Sequence, residues 1–116
     1  MLATKTLSTK EQQYATVFAA LGDKQRLSLV KQLTGGRPLS ISQLTQGSNL
    51  TRQAITKHLK VLQNAGVVHR VHLGRESLFE LNAEPFKDMK DYLAFVVEQW
   101  ELALNRLKAF IENDSA

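Results

Sequence analysis

The chain has 116 residues, 43% of them hydrophobic, and this length suits one compact domain because a second would be too small to enclose its own core. Its formal net charge is +4 at pH 7, which is compatible with a polyanionic partner. Cysteine is absent, which excludes disulfides, thiolate metal sites and cysteine redox sensing. No stretch approaches the length of a membrane span, so we expect a cytoplasmic protein with no membrane partner whose residues 1–116 form a single domain.

Two helices are predicted in the first third of the chain. Ser8 and Glu11 have the spacing of a capping box for the first helix. The apolar residues that follow at i, i+3, i+4 and i+7 are Tyr14, Val17, Phe18 and Leu21. Asp23 can cap the second helix, which we expect to end before Gly35.

The third and fourth predicted helices follow each other closely. Ser40 and Gln43 have capping-box spacing, and the third helix that they open ends around Gly47. The fourth is predicted over residues 51–65, after a turn of only a few residues, which is the helix-turn-helix pattern. In that motif the second helix enters the major groove of DNA. A generic helical hairpin is the alternative.

The fourth helix has two distinct faces when its residues are placed about 100° apart. Thr51 can cap its N-terminus, and Gly66 favours the left-handed conformation that closes a helix. The apolar side consists of Ala54, Ile55, His58, Leu59, Val61, Leu62 and Ala65. We interpret His58 on that side as a packed or hydrogen-bonded core residue. The other side consists of Arg52, Gln53, Thr56, Lys57, Lys60, Gln63 and Asn64. These three cations, with no acid, can reach phosphates and base edges, although a solvated helix face is the alternative.

After the fourth helix the pattern changes to that of strands. Residues 67–82 are predicted to form a β-hairpin with a turn over residues 74–77. A helix-turn-helix followed by a hairpin is a winged helix, so the expected fold class is mainly α with a small β-hairpin. Arg75 in the turn is assigned to DNA contact. For Arg70 and His72, DNA contact and a solvated strand residue both stay open.

The last predicted helix covers residues 85–112 and begins at Pro85, which suits the first turn. Its apolar stripe consists of Phe86, Met89, Leu93, Val96, Trp100, Ala103, Leu107 and Phe110, widened by Val97, Leu104 and Ile111. One small domain cannot cover such a stripe, so we expect it to pack on the first helix and on the same helix of a second subunit. The predicted dimer interface consists of Tyr14, Val17, Phe18, Leu93, Val96, Trp100, Leu104 and Leu107. A purely intramolecular core helix is the alternative.

The chain resembles the ArsR-type (arsenic-repressor-like) winged-helix transcription regulators in three blocks, which read FAALGDKQRLSLVKQL, LTRQAITKHLKVLQNAGVV and GRESLFELN. The resemblance covers about residues 15–82. It implies N- and C-terminal dimerisation helices and a homodimer that binds a palindromic operator in double-stranded DNA, usually as a repressor released by an effector. By position it implies DNA contact for Thr51, Arg52, Gln53, Thr56 and Lys57, with Arg75 in the wing.

Metal-sensing members of that family place a cysteine pair near the recognition region, or histidines and acids on the last helix. This chain has no cysteine and no histidine after His72, so it is similar to a metal-independent branch and we expect no cofactor. His69 and His72 are three residues apart on a strand and point to opposite faces, which is poor chelating geometry. Asp88 and Asp91 are expected to be solvated. A small-molecule effector stays open.

The leading hypothesis is a dimeric, sequence-specific DNA-binding regulator that represses transcription. Its base-reading residues would be Arg52, Gln53 and Thr56, and its phosphate contacts Lys57, Lys60 and Arg75. The alternatives are a winged-helix module that binds protein through the apolar stripe and a non-specific architectural DNA-binding protein. An enzyme is not expected, because the sequence has no phosphate-cradling glycine loop, no cysteine nucleophile and no convincing serine, histidine and acid set.

Overall fold

The computed structural model describes the backbone of residues 6–115 and the side chains of residues 6–113. Its elements, in chain order, are α1 (Thr9–Leu21), α2 (Lys24–Leu33), α3 (Ile41–Gln46), α4 (Arg52–Asn64), β1 (Val68–Leu73), β2 (Glu76–Leu81) and α5 (Ala83–Ser115). The two strands pair antiparallel as a hairpin. This arrangement confirms the predicted fold class, mainly helical with a small β-hairpin. Over the described range, no helix has both the length and the apolar character needed to cross a membrane.

Short polar side chains begin each of the first four helices. Ser8 and Ser40 form the predicted capping boxes, and each hydroxyl accepts a backbone N–H three residues later at 3.1 Å. Asp23 caps α2 and Thr51 caps α4, as predicted. Gly66 follows α4 with a φ of +79°, in the left-handed region that favours glycine. Local sequence signals therefore set the ends of these helices.

The part of the chain up to Phe86 encloses its own hydrophobic core. Its buried members include Leu29, Leu33, Leu44, Ile55, Leu59, Leu62, Val67, Val68 and Phe79. α4 is central, because it contacts α1, α2, α3 and β1. The packing of one side of α4 therefore fixes which side faces the solvent.

The apolar side of α4 is narrower than the sequence predicts. Ile55, Leu59 and Leu62 are at most 2% exposed, whereas Val61 is 40% exposed. Val61 lies about 100° around the helix from Leu62, at the edge of the buried arc. His58 on the same side is half-buried and not part of the fully buried core.

The hairpin turn is shorter than predicted. β2 begins at Glu76, so the loop contains only Gly74 and Arg75, whereas the sequence predicted a turn through Ser77. Gly74 has a φ of +64°, and Arg75 has no positive φ. A glycine at the first position of a two-residue loop gives the twist that a tight hairpin needs. The wing is therefore more regular than the sequence suggested.

From Lys87 onward the chain forms a second unit, which consists of the remainder of α5. α5 is longer than the predicted 85–112, because it begins at Ala83 and places Pro85 within its first turn, where a missing N–H costs little. Most of the predicted stripe is between 42% and 69% exposed, namely Leu93, Val96, Val97, Trp100, Leu104, Leu107, Phe110 and Ile111. The single domain over residues 1–116 stays a prediction.

Three residues of the predicted dimer interface lie on α1. Val17 is only 7% exposed, so it belongs to the core and offers little surface to a second subunit. Tyr14 is half-buried, and Phe18 is exposed. The interface assignment as a whole stays a prediction.

Candidate nucleic-acid interface

The outer face of α4 is polar, exposed and free of acids. Its members are Arg52, Gln53, Thr56, Lys57, Lys60, Gln63 and Asn64. The first four of these line one open surface hollow. Because the helix holds three cations and no acid, its outer face is suited to a polyanion. The structure thus places the predicted α4 contact residues together on one surface.

The N-terminal end of α4 is braced by two of the predicted contact residues. Arg52 donates from Nη1 to the hydroxyl of Ser42 at 2.7 Å, which ties α4 to α3. A guanidinium has five N–H donors, so this bond leaves Arg52 able to make further contacts. The hydroxyl of Thr51 accepts the backbone N–H of Ala54 at 3.1 Å and closes the helix end. No sequence pattern predicted the contact between Arg52 and Ser42, because it depends on how α3 and α4 meet.

Thr56 and Gln53 offer different hydrogen-bonding groups. The Thr56 hydroxyl donates to the carbonyl oxygen of Arg52 at 2.8 Å, so its proton is already used. Its oxygen remains an acceptor, which suits the amino groups of adenine and cytosine. The Gln53 amide has N–H donors and a carbonyl oxygen that accepts, and this combination reads adenine in a major groove.

His58 joins α4 to α2 and is hydrogen-bonded, as the sequence predicted. Its Nε2 lies 2.7 Å from Oε1 of Gln25, and its Nδ1 lies 3.5 Å from Nη1 of Arg26. A guanidinium can only donate, so Nδ1 accepts and the ring proton sits on Nε2, from which it is donated to Gln25. Arg26 also donates from Nε to the carbonyl oxygen of Ala20 at 2.6 Å.

Asp23 anchors this network at the start of α2. Its carboxylate accepts the backbone N–H groups of Gln25 at 2.9 Å and of Arg26 at 3.0 Å. The hydrogen bond from the Arg26 backbone holds the pKa of Asp23 below its ordinary value of 3.8, and the positive charge of Arg26 acts in the same direction. The ionised carboxylate of Asp23 therefore stabilises α2, which packs against α4.

The wing, defined as the hairpin of β1 and β2, presents Arg75 at its tip. Arg75 is exposed and is the second residue of the two-residue loop. His72 is also exposed near this tip. His69 is engaged with Glu80, because its Nε2 lies 2.7 Å from Oε1 of that residue. Within the described residues, no cluster of three or more histidine and acidic side chains could hold a metal ion.

A second basic residue of the wing, Arg70 on β1, lines a cleft together with residues of α4. Arg70 stands over the ring of Phe79, with its Cζ 5.3 Å from the ring centroid. The sequence left the role of Arg70 open. A two-residue loop at Gly74 and Arg75 places Arg70 opposite Phe79 in the hairpin. A correct prediction of the loop length would therefore have predicted this contact.

Comparisons of sequence relate the chain to transcription regulators. Residues 21–71 match a family model described as a helix-turn-helix domain. The chain is 35% identical over 79 residues to the uncharacterized HTH-type transcriptional regulator YuzN of Bacillus subtilis (strain 168), an alignment that spans 63% of this chain and 86% of that protein. It is 29% identical over 80 residues to the arsenical resistance operon repressor of the same organism, spanning 69% and 76%.

The fold comparison agrees with the sequence comparison. The structure of an ArsR-like transcriptional regulator from Rhodococcus sp. RHA1 matches with a TM-score of 0.82 at 30% identity, covering 89% of this chain and 96% of that one. The relatives are transcription regulators, which confirms the expectation that the chain is not an enzyme. The chain therefore belongs to the ArsR-like family of helix-turn-helix transcription regulators and is a DNA-binding regulator of transcription.

Proposed function

We propose that this protein is a homodimeric repressor that reads a palindromic operator with α4 and the wing. The observation that carries the proposal is the outer face of α4, where exposed cations, an amide and a hydroxyl stand together with no acid. Three residues would contact base edges: Arg52, Gln53 and Thr56. Three cations would contact phosphates: Lys57, Lys60 and Arg75. Repression would follow from occlusion of a promoter.

The bracing of α4 supports a role in base reading, because discrimination between bases needs a helix held in one position. Arg52 is tied to Ser42 in α3, and His58 is tied to Gln25 in α2. A helix fixed at both points can present Gln53 to the same base position in every complex. The wing would then add Arg75 as a flanking contact to the backbone or the minor groove.

The exposed stripe of α5 supports a homodimer. Side chains as large as Trp100 and Leu107 are exposed along one side of this helix, and a contiguous apolar surface of this kind marks an interaction site. A second copy of the chain offers the same apolar stripe, which suits a two-fold interface. Two-fold symmetry would place two copies of α4 about one helical turn of DNA apart, which matches a palindromic operator.

The proposed repressor works without a metal ion, in the cytoplasm, as a single domain over residues 1–116. The absence of cysteine supports metal independence, since the thiolate ligands that bind soft metals are not available. The engagement of His58 with Gln25 and of His69 with Glu80 supports it further. Release from DNA would then depend on a small-molecule effector or on the abundance of the protein alone.

Selection of bound sequences from a random duplex library at near-physiological salt tests the proposal, with the mass of the protein measured in parallel. We expect an enriched inverted repeat whose half-sites lie about 10 base pairs apart, bound by a dimer. Binding without enrichment would instead indicate an architectural DNA-binding protein. If no duplex is retained, a protein-interaction module becomes the better hypothesis.

A further inference from the structure

The cleft between α4 and the wing has a polar, basic rim over an apolar floor. It has a volume of about 440 Å³, and its rim consists of Thr56, Lys60, Gln63, Asn64 and Arg70. No acidic residue lines it. The rim thus offers two cations and two amides, which are the donors that bind a phosphate group.

Arg70 is held in place at this rim. Its guanidinium stands over the ring of Phe79, which is only 2% exposed. The backbone of Phe79 is in turn paired with that of Leu39, through N–H···O distances of 2.8 and 2.9 Å in the two directions. A guanidinium stacked on a fixed ring keeps its N–H donors free at its edge and loses little side-chain entropy when it binds an anion.

The two cations of the rim have no counter-charge among the side chains that the structure describes. Within the described side chains, neither Lys60 nor Arg70 forms an ion pair, and the acid of the neighbouring strand pair, Glu80, is engaged with His69. Two like charges that line one cleft repel each other. An anion between them attracts both, and these two attractions outweigh the repulsion. The charge pattern therefore favours an anionic occupant.

We propose that this cleft holds one phosphate group of the DNA backbone, shared by Lys60 and Arg70. The inference rests on the proposed function. Thr56 lines both the cleft and the hollow on the outer face of α4, so the two surfaces adjoin and one DNA strand can cross both. One phosphate held there fixes the register of α4 and of the wing on the same duplex.

The salt dependence of binding tests whether the two cations share one phosphate. Lys60→Ala, Arg70→Ala and the double variant of the full chain are titrated with the selected duplex at several salt concentrations. If one phosphate is shared, the double variant lowers the slope of log K against log salt by about 0.9, and each single variant lowers it by less. We expect the double variant to bind roughly tenfold more weakly, equivalent to the loss of one charge-assisted hydrogen bond.

Two further variants separate charge from geometry. Lys31→Ala removes an exposed cation from α2, outside the cleft, and should leave the slope unchanged. Arg70→Lys keeps the charge but loses the planar fork, so it should keep the slope and show an intermediate affinity. Lys60 and Arg70 are both exposed, so the substituted proteins should fold, which thermal unfolding checks.

The outcomes distinguish this proposal from the proposed function. If the wild-type protein binds no duplex, the proposed function fails. If it binds but the double variant keeps the full slope, only the cleft proposal is wrong, and a slope loss near 1.8 contradicts a shared phosphate because it indicates two separate ones. Inorganic phosphate is also titrated into the free protein at constant ionic strength. Binding that the double variant abolishes, with an unchanged DNA slope, would assign the cleft to a free anion and overturn the proposal.

Discussion

α4 and α5 carry apolar stripes with the same helical spacing, yet the two stripes have opposite surroundings. Ile55, Leu59 and Leu62 of α4 are almost fully buried, whereas Leu93 and Trp100 of α5 are exposed. The part of the chain up to Phe86 covers the first stripe itself. Periodicity thus identifies a helix and its apolar face, but it does not identify what covers that face.

The largest expected effect comes from the buried apolar stripe of α4. Leu59→Ala removes a side chain that is 2% exposed, and the cavity it leaves should lower the free energy of unfolding by about 2–5 kcal/mol. Urea denaturation measures the change. Leu73→Ala in the wing is the matched control, because Leu73 is exposed and its loss should cost no more than about 0.5 kcal/mol. A loss below about 1 kcal/mol for Leu59→Ala would show that α4 is not the centre of the core.

The second-largest expected effect comes from the exposed apolar stripe of α5. Trp100→Glu places a charge on the proposed dimer interface, so the sedimentation mass should fall to that of one chain. Binding to a duplex with two half-sites should weaken by about 100-fold, since the two copies of α4 no longer bind together. Asn105→Glu adds the same charge to the polar side of the helix and should change neither quantity. An unchanged mass for Trp100→Glu would contradict the proposed interface.

Local signals made much of the fold predictable from the sequence. Ser8, Asp23, Ser40 and Thr51 mark helix starts because a short polar side chain satisfies backbone N–H groups only a few residues away. The outer face of α4 was predictable for a similar reason, since helical spacing alone puts its polar residues on one side. Such interactions need no knowledge of distant parts of the chain.

The remaining features depend on contacts between elements. Val61 has the same apolar character as its neighbours, and only the packing of other elements leaves it exposed. The bond between Arg52 and Ser42 requires the angle at which α3 and α4 meet. The stack of Arg70 on Phe79 requires the hairpin register, and the predicted turn was too long to give it. Sequence reasoning therefore found the α4 face but missed the cleft beside it.

The two sides of α4 should also respond differently to substitution. Gln53→Ala on the outer face should leave stability unchanged and reduce the preference for the operator over a scrambled duplex about tenfold, the effect of one lost base contact. Lys60→Ala should weaken binding to both duplexes alike, because phosphates carry no sequence. Competition binding with the two duplexes measures both ratios. Equal loss on both duplexes for Gln53→Ala would contradict its role in base reading.

The smallest expected effect is on the pH dependence of stability and lies at the N-terminus of α2. The backbone N–H of Arg26 holds the pKa of Asp23 below 3.8, so the ionised carboxylate stabilises the fold above that pH and this contribution is lost as the pH falls through the folded-state pKa. Asp23→Asn keeps a capping oxygen without the charge. The stability advantage of the wild type over this variant should therefore hold above about pH 5 and shrink as the pH falls below 3.8, as measured by urea denaturation. A difference that stays constant over this pH range would mean that the charge of Asp23 contributes nothing to the cap.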